Sequence, residues 1–176
     1  MDQRGLRRIF EAIDEALRSD TLLLIRGGAA VLALGLDERV TMDIDVLPGS
    51  IFVEPDLRRA CEQAGIGFNP PDKDVVEQDY LKLVPEETLI LPKPEVPYNT
   101  VFRGRRLTVK TPPAADLVVG KLKRLDPEDL ADVAFLIRRF GLTRTDLEAA
   151  VHRLPERFRT DPVVQDNLRY ILEDYL

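Results

Sequence analysis

Apolar residues recur at positions 6, 9, 10, 13, 16 and 17, with charges between them, which is the stripe of an amphipathic helix over Leu6–Leu17. Ser19-Asp20 breaks the pattern. Thr21–Ile25 is a short, nearly continuous aliphatic run that ends at Arg26-Gly27-Gly28, the signature of a buried strand entering a tight turn. Ala29–Leu36 is small and apolar and predicts a helix packed closely on a sheet, stopped near Gly35 and Asp37. Thr41–Leu47 alternates, so a strand there places Met42, Ile44 and Val46 on one face and Asp43 and Asp45 on the other.

Pro55 suits the first turn of a helix over Asp56–Ala64, closed by Gly65. The proline-rich stretch from Gly67 to Pro97 reads as edge strands and loops, with short strands at Tyr80–Val84 and Thr88–Leu91. Asn99–Phe102 and Leu107–Lys110 flank Arg103-Gly104-Arg105-Arg106, a hairpin with glycine at its bend. From Pro113 onward the spacing is helical: Ala114–Arg124, Asp129–Phe140, Arg144–His152 and Pro162–Tyr175, with Thr143 and Thr145 as candidate caps. The chain is therefore expected to be α+β. A mixed β-sheet flanked by helices is expected over residues 1–112, and a C-terminal helical bundle over 113–176.

Composition narrows the chemistry. Among 176 residues, 44% are hydrophobic and 32% charged, with a formal charge of -6 and a pI near 5.0, which argues against a protein that coats nucleic acid in bulk. A single cysteine, Cys61, and a single histidine, His152, exclude cysteine-based and multi-histidine zinc sites and leave carboxylates as metal ligands. Cys61 reads as a small core residue and His152 as a surface or capping residue. The charged N-terminus lacks the pattern of a signal peptide, and no apolar run approaches the ~20 residues that span a bilayer. The expectation is a cytoplasmic protein without a membrane partner.

One constellation carries chemistry: strand, Gly27-Gly28, helix, then a strand bearing Asp43 and Asp45. Glycines let the backbone turn sharply and let a ligand approach without a side chain in the way. The helix that follows offers unpaired N–H groups to a phosphate. Two carboxylates at i and i+2 of a strand point to one face and repel one another unless a cation lies between them. Oxygen ligands of this kind suit Mg²⁺, which commonly binds one or two carboxylates together with substrate phosphates. Alone, Gly-Gly is an ordinary turn and Asp-x-Asp a solvated strand edge; their conjunction is far rarer.

Gly27-Gly28, a helix, and Thr41-x-Asp43-x-Asp45 resemble the nucleotidyltransferase superfamily, the DNA polymerase β-like fold, and within it the AbiEii-type toxin-like group. A second match lies downstream, where Lys121-Leu122 precedes Arg124 and Glu128-Asp129-Leu130-Ala131-Asp132. The resemblance spans about Leu22 to Phe140. It implies that Gly27 and Gly28 line an NTP triphosphate beside Thr41, with Gly28 standing where many relatives have serine. It implies Asp43 and Asp45 as ligands of Mg²⁺, Lys121 as a phosphate contact, and Asp129, more than Asp132, as the distal acid. It further implies transfer of a nucleoside monophosphate to RNA (such as tRNA), to protein or to a small molecule, and a toxin paired with an antitoxin.

The strand Leu107–Lys110, where the resemblance implies a third metal carboxylate, ends in lysine, which leaves Glu77, Asp79 and Glu95 as candidates. Lys121 reads equally as an exposed lysine on a helix, and Asp129 as an acid favoured by a helix start. The window Val96–Ala115 holds Arg103, Arg105, Arg106 and Lys110 and no acid; it fits a polynucleotide backbone, and equally an arginine-rich edge hairpin that deters sheet association. Two other functional readings fit the same residues: a catalytically silent nucleotide- or partner-binding module, and a nucleotidyltransferase acting on a small molecule through an acidic acceptor pocket.

Overall fold

The computed structural model describes residues 1–71, 77–93 and 97–176 and is α+β, with a six-stranded mixed sheet. The chain divides into two compact units, Met1–Thr88 with Tyr98–Thr111, and Leu89–Pro97 with Pro112–Leu176.

The first unit runs α1 (Gln3–Ala16), β1 (Thr21–Arg26), α2 (Gly27–Ala33), β2 (Asp43–Val46), α3 (Glu54–Gln63), β3 (Gly67–Phe68), β4 (Tyr80–Leu83), β5 (Asn99–Arg103) and β6 (Leu107–Thr111). The strand order is β3-β4-β2-β1-β6-β5. β1 pairs antiparallel with β2 and parallel with β6, β2 parallel with β4, and β5 antiparallel with β6.

Paired residues share a face, so the register sorts the side chains. Leu23, Ile25, Ile44, Val46, Leu81, Leu107 and Val109 fall together and are buried. The helices lie on that side. Phe10 of α1 stacks on Phe102, the partner of Val109, and Arg58 of α3 covers the ring of Phe68, the partner of Leu81. Ala33 of α2 shares a pocket with Leu6, Phe10 and Phe102. The opposite face carries Leu22, Leu24, Arg26, Asp43, Asp45, Lys82, Thr108 and Lys110, all half-buried.

Several expectations need correction. Gly27 and Gly28 are the first residues of α2 rather than a turn before it, and α2 ends at Ala33. β2 begins at Asp43, which leaves Met42 46% exposed instead of in line with Ile44 and Val46. β4 lies inside the sheet between β3 and β2 rather than at its edge. Residues 88–91 form no strand: Thr88 ends a 3₁₀ turn over Glu86–Thr88, and 89–91 have no regular secondary structure. The hairpin Asn99–Thr111 and the helix closed by Gly65 agree with the sequence pattern.

The second unit holds α4 (Ala114–Val119), α5 (Pro127–Phe140), α6 (Arg144–His152), α7 (Glu156–Arg159) and α8 (Pro162–Asp174). Leu117, Leu122, Val133, Leu136, Leu147, Val151, Val164 and Ile171 supply its core. Asp126 caps α5 by accepting from the Asp129 amide, and Gly141 ends it in the left-handed conformation at φ 62°. Thr143 caps α6 in a reciprocal capping box with Asp146, whereas Thr145 lies within the helix and caps nothing. α4 stops at Gly120, six residues after it starts, so Lys121 sits in the turns that follow rather than on a helix. His152 is exposed in the last turn of α6, and Cys61 is fully buried, its thiol pushed up to about 12 chiefly by burial. Among the described residues, no helix is long and apolar enough to cross a membrane.

Candidate functional site

β1 delivers Arg26 and then Gly27 to the start of α2. Gly27 has φ +69°, a conformation that strains an L side chain, and a Cβ there would lie 3.3 Å from Asp45 Oδ2. A Cβ on Gly28 would lie 3.1 Å from Arg39 Nη2 and 3.1 Å from Thr41 Oγ1. The absence of side chains at these two positions is what allows Asp45, Thr41 and Arg39 to close on the corner. Thr41 Oγ1 donates to Asp43 Oδ1 at 2.7 Å, and Asp43 and Asp45 share the half-exposed face of β2. The structure thus brings together Gly27, Gly28, Thr41, Asp43 and Asp45.

The pair is electrostatically loaded. Burial raises the Asp45 carboxyl above the usual carboxylate range, the charge of Asp43 raises it further, and Arg26 and Lys82 pull the other way without prevailing. Arg26 Nε stands 3.7 Å from Asp45 Oδ2, while Lys82 is the β4 residue in register with Asp45. Arg26, Lys82 and Arg39 all escaped the sequence reading. Arg26 had a signal: it directly precedes the glycines, and an antiparallel β1–β2 pairing sets it opposite Asp45. Lys82 had none, since its register partner lies 37 positions away.

Two carboxylates that repel one another in a half-buried site are a donor set that fits a hard divalent cation completed by phosphate and water oxygens. Among the described residues, no group of three acidic, histidine or cysteine side chains gathers into a cluster that could hold a metal. Of the candidates for a third carboxylate, Glu77 is exposed, Asp79 accepts from the Met1 amine at 3.1 Å, and Glu95 lies outside the described residues. On β6, Lys110 faces the same side as Asp45.

Lys121 and Asp129 belong to the helical unit, where they meet. The Lys121 ammonium, 9% exposed, donates to Asp129 Oδ1 at 2.8 Å and to Asp132 Oδ2 at 2.6 Å. Arg124 adds a two-pronged contact, Nε to Asp129 Oδ2 at 2.8 Å and Nη2 to Oδ1 at 3.0 Å. Burial alone would push the Asp129 carboxyl up, but hydrogen bonds from Arg124 and Lys121 outweigh it and hold the group below its ordinary range. The reading of Lys121 as an exposed helical lysine therefore fails.

A further feature of the sheet unit is a basic depression of about 500 Å³ at the β5–β6 side, lined by Arg103, Arg105, Arg106 and Lys110. Compared with protein-family models, with curated proteins and with solved structures, the chain matches none of them.

Proposed function

We propose that the protein is a Mg²⁺-dependent nucleotidyltransferase that moves a nucleoside monophosphate from an NTP to an acceptor hydroxyl. The observation that carries this reading is the closure of the Asp43/Asp45 face onto the glycine corner, with 3.3 Å between Asp45 Oδ2 and the missing Gly27 side chain. Gly27 and Gly28 put no side chain of their own between the backbone of the corner and a triphosphate. Asp43 and Asp45 would hold Mg²⁺, which supplies charge neutralisation at the phosphates when bound. Thr41 fixes the orientation of Asp43 through its 2.7 Å hydrogen bond. Arg26 and Lys82 offset part of the charge of the acidic pair and add positive charge beside the phosphates. The acceptor oxygen attacks the α-phosphorus, the bond to pyrophosphate breaks, and the hydroxyl proton leaves to solvent. In the helical unit, Asp129 and Asp132 position the Lys121 ammonium that the family resemblance makes a phosphate contact. RNA as acceptor, and a toxin role with a cognate antitoxin, rest on that resemblance.

Incubation with labelled NTPs, Mg²⁺ and total RNA is expected to label an acceptor, and Asp43→Ala to abolish the labelling. Equal labelling by the variant removes the proposal. A second reading, a nucleotide-binding module without turnover, is favoured by Lys110 standing on the sheet face where a third acid is expected. NTP and Mg²⁺ would then raise the melting temperature while no acceptor is labelled; turnover with any acceptor eliminates it.

A further inference from the structure

We propose that the depression beside the β5–β6 hairpin binds the phosphodiester backbone of a single-stranded polynucleotide. Four cations line it, Arg103, Arg105, Arg106 and Lys110. Arg103 pairs with Thr108, which pairs with Leu22, while Lys110 pairs with Leu24, so both cations stand on the open face of the sheet. Among the described residues neither Arg103 nor Lys110 has an ion pair. The one acid in the lining, Asp20, is 89% exposed and engages Arg106 at 3.2 Å.

The hairpin tip is held still. Asp14 of α1 accepts from the backbone amides of Arg105, Arg106 and Leu107 at 2.9, 2.8 and 2.6 Å, and a Cβ on Gly104 would lie 2.3 Å from the same carboxylate. The single acid nearest the tip is thus turned to its backbone, and the arginine side chains project from an ordered turn. A ligand that binds them has only the side chains left to order, not the backbone that carries them. Beside the cations, Ile51 is 66% exposed and Leu22 half-buried, an apolar floor that the sugars and bases of a bound strand would cover. A phosphodiester strand meets both requirements, with a phosphate at every nucleotide for the cations and sugars and bases for the apolar floor.

Strand spacing and rise place the Lys110 Cα about 12 Å and the Arg103 Cα about 20 Å from that of Asp45, across the same face. A strand seated here runs toward the aspartates. Only that direction rests on the nucleotidyltransferase reading; the binding itself does not.

The test is fluorescence anisotropy with a labelled single-stranded RNA of about 12 nucleotides, titrated between about 50 and about 200 mM salt. Wild type is expected to bind, with affinity falling steeply as salt rises. Arg103→Gln/Lys110→Gln is expected to bind about 10-fold more weakly or worse, with a log–log salt slope shallower by about 1.4 units, the loss of two phosphate contacts to a single strand. Both side chains lie on the open face of the sheet, Arg103 exposed and Lys110 half-buried, and unchanged melting of this variant shows that its fold is intact. Asp43→Ala is expected to bind no more weakly than wild type, so loss of transfer with binding retained separates this inference from the reaction. Equal affinity of the double glutamine variant overturns the proposal, as does equally effective competition by polyglutamate, which would assign the surface to an acidic protein.

Discussion

At the scale of single residues, one carboxylate organises the β5–β6 turn. Burial works against the ionised Asp14, but the amides of Arg105, Arg106 and Leu107 outweigh it and hold the carboxyl below its ordinary range. Gly104→Ala would drive a methyl into that carboxylate. The side chain can swing away only by releasing its three amides, so the substitution is expected to cost about 2–3 kcal/mol in urea denaturation. The Lys121 cluster makes a different prediction. Lys121→Ala leaves Asp129 and Asp132, both almost fully buried, without their shared cation, and is expected to lose about 3–5 kcal/mol. Asp129 also sets a sign for pH. Its folded carboxyl titrates below the unfolded value of about 3.9, so its contribution is fully present above that value and is lost as pH falls through the folded one. Acid titration of unfolding free energy is expected to show a steeper decline below about pH 4 in wild type than in Asp129→Asn.

At the scale of elements, the helix caps separate two threonines that look alike in sequence. Thr143 accepts from the Asp146 amide and its own amide donates to the Asp146 side chain, while Thr145 is an exposed residue inside α6. Thr143→Ala is expected to cost about 1 kcal/mol, a fall of about 2–4 °C in melting temperature for a chain this long. Thr145→Ala, which gains helix propensity and loses no bond, is expected to leave melting unchanged or raise it slightly. The elements legible in the sequence were those whose periodicity and stop signals coincide, such as α1, α3, α6 and the β5–β6 hairpin. α4 was not among them. Leu122 continues the apolar spacing into a run of turns and is fully buried there, so spacing alone could not separate helix from turn. At Gly120, a Cβ would meet the Ile90 carbonyl oxygen at 3.1 Å, a constraint set by a distant segment. The site divides in the same way. Asp43 and Asp45 share a face because of local parity, which one strand reveals by itself. Lys82 joins them through strand register, and Lys121 meets Asp129 and Asp132 because a turn replaces a helix, neither of which one segment encodes.

At the scale of the whole molecule, the formal charge of -6 sets the sign of a nucleotide's effect on the fold. An NTP adds negative charge to an acidic protein, and the Asp43/Asp45 face resists it until a divalent cation compensates. ATP alone is therefore not expected to stabilise the fold appreciably, while ATP with Mg²⁺ should. At ligand concentrations about 100 times the dissociation constant, linkage supplies about 2.7 kcal/mol, a rise of about 5–10 °C. If melting resolves two transitions, the one that carries the sheet, where Asp43 and Asp45 lie, is expected to shift. Asp43→Asn/Asp45→Asn is the decisive control. Burial and the neighbouring charge of Asp43 disfavour the ionised Asp45 carboxyl, so neutralising both acids should leave the ligand-free melting temperature at or above wild type. Loss of the joint ATP and Mg²⁺ shift in a variant that melts no lower than wild type would locate nucleotide binding at the aspartate face. Persistence of the full shift would locate it elsewhere and remove the proposed site.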